Sequence, residues 1–71
     1  MKKTVGQLVE MFCGIEMEYD LYFNATWLID YDECFVWSKA EFIENFEEWL
    51  DEIPKKVQID LEKNICIFIL E

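Results

Sequence analysis

The sequence predicts a small α+β domain: two amphipathic helices on one face of a mostly antiparallel sheet of about five strands. The predicted order is helix, strand, strand, strand, helix, strand, strand. Three observations carry this prediction. Apolar residues recur with a helical period in two segments, one near the start and one in the middle of the chain. Between and after those segments the period changes to two, as in strands. Turn-forming residues fall at the changes of period, and 71 residues leave room for one domain spanning positions 1–71.

The first helix starts at Thr4. With Gln7 three residues on, it fits the capping box, in which hydroxyl and amide satisfy backbone donors that have no intrahelical partner. Val5, Leu8, Val9 and Phe12 then fall on one helical face, and Gly14 offers a left-handed stop with Ile15 as the apolar contact behind it. From Met17 the chain alternates. Met17, Tyr19, Leu21 and Phe23 line one side of a half-buried strand, and Glu18, Asp20 and Tyr22 the other. Asn24 and Ala25 offer a turn, so residues 26–31, rich in β-branched and aromatic types, read as the second arm of a hairpin. After Asp32 and Glu33, residues 34–37 read as a third strand antiparallel to the second.

Ser38 and Glu41 form a second capping box ahead of a helix over residues 39–53. At about 100° per residue, Phe42, Ile43, Phe46, Trp49, Leu50 and Ile53 share one face, while Glu41, Glu44, Glu47, Glu48, Asp51 and Glu52 take the other. Pro54 ends it. Val57, Ile59 and Leu61 alternate with Gln58 and Asp60, Glu62, Lys63 and Asn64 turn the chain, and residues 65–70 return. That last strand is apolar on both sides, which suits the centre of the sheet or the seam of a homodimer.

Composition narrows what the domain does. A 54% apolar chain with six Phe, three Trp and three Tyr is built to fold. So much apolar surface on so short a chain also makes room for a homodimer or an apolar partner site. Sixteen acids against six Lys, with no Arg and no His, give a formal charge of -10. Thirteen of the acids lie between Glu10 and Glu52, where Lys39 is the sole basic residue. Direct binding to nucleic acid or to an anionic membrane is disfavoured, because both rest on Lys and Arg. The start of the chain lacks the apolar stretch of a signal peptide, and no run approaches the ~20 residues of a membrane helix, so a cytoplasmic protein is expected.

The commonest catalytic groups are missing: there is no histidine for acid-base work and no arginine for anion stabilisation. Ser38, the only serine, is committed to capping. Cys13, Cys34 and Cys66 form no metal-binding spacing, and acidic neighbours work against reactivity at Cys34, so all three read as reduced core residues. Asp30, Asp32 and Glu33 cluster in a turn but lack the glycine and the distal glutamate of a calcium loop. No enzyme, no cofactor and no resident metal are expected. A binding protein is.

The candidate contact residues are the acids: Glu18 and Asp20 on the outer side of the first strand, Asp30, Asp32 and Glu33 in the turn, and the six of the second helix. Such rows imitate a phosphate backbone, although acidity also keeps a small greasy domain soluble. In size, in the absence of Arg and His, and in the acids gathered from Glu16 to Glu52, the chain resembles in type the small acidic inhibitors of phages and mobile elements, the anti-CRISPR proteins and other DNA mimics among them. That resemblance implies an acidic surface competing with DNA for a basic nucleic-acid-binding protein, such as a CRISPR nuclease, inside a bacterial host cell. The alternative is a homodimeric structural or adaptor module that binds through an apolar surface.

Overall fold

A computed structural model describes residues 2–12, 16–24 and 35–71. In chain order the elements are α1 (Val5–Met11), β1 (Glu18–Tyr22), α2 (Lys39–Asn45), a 3₁₀ turn (Glu47–Trp49), β2 (Lys56–Asp60) and β3 (Ile65–Ile69). The strands form one mixed sheet in the order β1-β3-β2, with β1 parallel and β2 antiparallel to β3.

The capping box of α1 forms as its residues dictate: Gln7 N donates to the Thr4 hydroxyl at 3.2 Å, and the Gln7 side chain accepts from Thr4 N at 2.9 Å. The two donors ahead of Gln7 are satisfied from outside the helix. Val5 N reaches the Glu52 carbonyl at 2.8 Å and Gly6 N the Leu50 carbonyl at 2.9 Å. The close approach suits a glycine, because a Cβ at position 6 would stand a tight 3.2 Å from the Leu50 carbonyl oxygen. The predicted stop at Gly14 and Ile15 lies outside the described residues.

β3 sits in the centre because it is apolar on both faces. Cys66 and Phe68 turn toward the helices and join Val5, Val9, Tyr19, Leu21 and Phe42 in the main core. Ile65, Ile67 and Ile69 turn the other way and pack with Tyr22 and Val36. All five residues of β3 are buried. Since both of its edges are taken by β1 and β2, β3 is no dimer seam. The turn before it is held by the Asp60 carboxylate, which accepts from Glu62 N and Lys63 N, and by Asn64 in the left-handed region at φ 55°.

The expected sheet of about five mostly antiparallel strands is wrong. Among the described residues the sheet has three strands and mixed pairing, with the terminal strand β3 as the parallel neighbour of β1. The second expected strand, 26–31, falls outside the described residues. Of the third, 34–37, Cys34 is also outside them, and the described part forms a single bridge, in which Trp37 and Tyr19 exchange two backbone hydrogen bonds of 2.8 Å. Trp37 is followed at once by the helix cap Ser38, so the pairing cannot extend past Trp37 toward α2.

The helix expected over 39–53 also ends early. At Asn45 the side-chain amide donates back to the Glu41 carbonyl at 2.8 Å, and Phe46 leaves helical geometry at φ -118°. A continuous helix to Ile53 would have put Asp51 and Glu52 in its negative last turn without a compensating lysine. The break places Glu47 and Glu48 in a fresh first turn, where acids are favoured. Of the expected inner face only Phe42 is buried; Ile43, Phe46, Trp49 and Leu50 are half-buried against the core, and Ile53 is 49% exposed.

Tyr19 lies at the centre of the aromatic core, with ring centroids 5.4 Å from Phe42 and 6.2 Å from Phe68. Its hydroxyl is buried without a hydrogen-bond partner among the described residues, and burial pushes its pKa up to about 12. A desolvated, unpaired hydroxyl costs about 1–3 kcal/mol. Tyr19→Phe is therefore expected to raise the thermal midpoint by an amount equivalent to about 1 kcal/mol. A lowered midpoint in a thermal melt would show that the hydroxyl has a partner after all.

Candidate functional site

The site is assembled along one segment. The Ser38 hydroxyl accepts from Glu41 N at 3.4 Å and donates to the Glu41 carboxylate at 2.9 Å, which fixes the first turn of α2. Glu41 and Glu44 then lie three residues apart on α2, with side chains about 5–6 Å apart. Glu47 and Glu48 occupy the 3₁₀ turn, and Asp51 and Glu52 follow it before Pro54. All six are exposed. The Glu52 carbonyl receives Val5 N from α1, so the far end of this acidic ridge is tied to the body of the domain. Lys39, at the head of the ridge, turns instead toward Glu10, its Nζ lying 3.7 Å from that carboxylate. Exposed pairs of this kind are worth at most about 1 kcal/mol.

Of the acids outside the ridge, Glu18 is exposed and lines a cleft of about 580 Å³ with Glu16, Ser38, Lys39, Lys63 and Asn64, beside the start of α2. Asp20 does not belong to the surface. It is 8% exposed, because the face of the sheet expected to meet solvent is covered where Ile67, Tyr22 and Val36 pack. Desolvation pushes its carboxyl above the usual carboxylate range, although the carboxylate accepts Leu21 N at 2.8 Å, which acts in the opposite sense. Asp30, Asp32 and Glu33 lie outside the described residues.

Two aromatic residues beside the ridge went unread in the sequence. Phe23 and Trp49 meet edge to face, with centroids 5.0 Å apart and planes at 70°, and line a shallow cleft of about 350 Å³ with Glu52, Leu70 and Glu71. Periodicity had placed both rings in the core. Phe23 is instead 50% exposed, because β1 ends at Tyr22 and the strand's inner face ends with it.

Chemically, this surface offers carboxylate acceptors next to aromatic rings, a combination suited to cationic side chains. Cys66 is buried among apolar neighbours that push its thiol up to about 12, so it remains a neutral packing group. Cys13 and Cys34 lie outside the described residues. Among the described residues no three His, Cys, Asp or Glu side chains gather as a metal site requires. No helix among them is long and apolar enough to cross a membrane. Compared with protein-family models, with curated proteins and with solved structures, the chain matches none.

Proposed function

We propose that the protein is a binding protein whose acidic ridge, Glu41, Glu44, Glu47, Glu48, Asp51 and Glu52, occupies the basic surface of a nucleic-acid-binding protein and blocks it by mimicking a phosphate backbone. One observation carries the reading: six exposed carboxylates fall in a segment of twelve positions that contains no basic residue. Like charges at this spacing destabilise a helix by tenths of a kcal/mol per pair, and solubility alone does not require that they be contiguous. Phe23 and Trp49 supply an aromatic contact at the end of the ridge, the residue type that carries binding energy where a charged rim does not. An RNA-guided nuclease, with its positively charged nucleic-acid channel, is the class of target that the size and charge suggest.

The test is capture from a bacterial lysate on the immobilised protein, followed by elution with duplex DNA or with salt. The wild-type chain is expected to retain basic proteins that either eluant releases, since exposed charge contacts are screened beyond about 8 Å at physiological ionic strength. Changing Glu41, Glu44, Glu47 and Glu48 to Lys is expected to weaken retention at least about tenfold. Retention indifferent to salt, to DNA and to the charge reversal would sink the proposal.

A further inference from the structure

Among the described residues the outer edge of β2 is unpaired: β2 pairs on one side only, with β3, so one row of its backbone donors and acceptors faces outward. The apolar side of this edge is also uncovered: Ile59 is 43% exposed and Leu61, just beyond the strand, is 76% exposed.

We infer that β2 is a self-recognition strand, pairing antiparallel with β2 of a second copy about a two-fold axis through Gln58 to join two sheets into one of six strands. The sequence of the strand is complementary to itself in this register. Lys56 falls opposite Asp60 of the partner subunit, and Asp60 opposite the partner subunit's Lys56, giving two cross-strand pairs of opposite charge. Val57 falls opposite the partner subunit's Ile59 on the apolar face, twice over, and Leu61 falls opposite the stem of the partner subunit's Lys55. Gln58 meets Gln58 of the partner subunit on the axis. A carboxamide carries both donor and acceptor, so such a pair satisfies itself, and it would supply the donor that the buried Gln58 Oε1 lacks among the described residues.

Neighbouring registers are worse. Moving the axis to Val57 brings Pro54 into the ladder, and moving it to Ile59 sets Lys55 against the partner subunit's Lys63. Charge favours this edge over the acidic middle of the chain. Residues 55–64 contain three Lys against one Asp and one Glu, whereas the remaining residues contain three Lys against fourteen acids. Two copies of a chain with a net charge of -10 can therefore approach through the β2 hairpin without setting acid against acid. The contact is the isologous kind that closes after two subunits. It involves none of the ridge residues, so it stands or falls separately from the proposed target.

Sedimentation of the intact chain from micromolar to millimolar concentration tests the inference. A reversible monomer to dimer shift is expected. Lys56→Glu, at an exposed position, turns both cross-strand attractions into repulsions and is expected to raise the dissociation constant at least about tenfold, with the circular-dichroism spectrum unchanged. Gln58→Cys provides an independent measure. Directly opposed residues of antiparallel strands lie within disulfide reach, so mild oxidation is expected to produce a covalent dimer that the wild-type chain does not form under the same conditions. A chain that remains monomeric at millimolar concentration, a Lys56→Glu dimer as tight as the wild type, or a Gln58→Cys chain that does not cross-link would each overturn the inference.

Discussion

Phe68→Ala is expected to cost about 3–5 kcal/mol, most of the stability that a domain of this size possesses. Phe68 is fully buried in the middle of β3. Its ring stacks on Tyr19 at 6.2 Å with planes 5° apart and lies 5.7 Å from Phe42, while Leu21 and Val57 flank it in register on the two neighbouring strands. With strands on both sides and α2 above, nothing can collapse into the space left by the ring, so the cavity term is felt in full. For 71 residues a loss of this size corresponds to roughly 12–40 °C in the thermal midpoint. Urea unfolding checks it through a lowered midpoint at unchanged slope. Met11→Ala, at a residue 62% exposed, is the control and should stay within about 0.5 kcal/mol of the wild type. A Phe68→Ala cost near that of the control would mean that the aromatic core is not packed as described.

Asp20→Asn is expected to stabilise the protein at neutral pH, and by less as the pH falls. Burial raises the Asp20 carboxyl above its unfolded value, so the native state holds a proton more tightly than the unfolded state does. Where the native state binds more protons, stability falls as pH rises, so the penalty of ionised Asp20 is absent below the unfolded pKa and fully present above the folded one. Asn keeps the acceptor that Leu21 N uses at 2.8 Å, and it adds no charge to a buried row beside Ile67 and Gln58. Thermal melts of both chains at neutral pH and near pH 4 read the difference directly. Comparing the two chains cancels the general relief of acidic repulsion on acidification. A variant less stable than wild type at neutral pH, or a gain that does not shrink with acid, contradicts the assignment.

The legible parts of the structure were local ones. The Thr4 capping box, the start of α2 at Ser38 and the hairpin returning through Asn64 all depend on residues within a few positions of one another, and all form. The misread parts depended on partners distant in sequence. Alternation in β1 correctly assigned Tyr19 and Leu21 to the core, but it sent Asp20 to solvent because it assumed a sheet covered on one face only. The double apolarity of β3 was the clue to the contrary, since a strand buried on both faces needs material on both. The helical period over 39–53 was likewise sound for burial up to Leu50. It did not register Asn45, whose side chain donates back to the Glu41 carbonyl where α2 ends.

The sequence by itself determined that this is an acidic α+β chain, where its helices begin, and that its carboxylates are gathered in the middle of the chain, while it left the doubly apolar last strand as either the centre of the sheet or a dimer seam. Only the tertiary structure decided that β1 lies parallel to β3, that Asp20 is buried while the six ridge acids are not, and that the outer edge of β2 is unpaired among the described residues. Caps and periods are fixed by neighbours along the chain. Strand order, burial and bare edges follow from which surfaces compete for the one core that so short a chain can form.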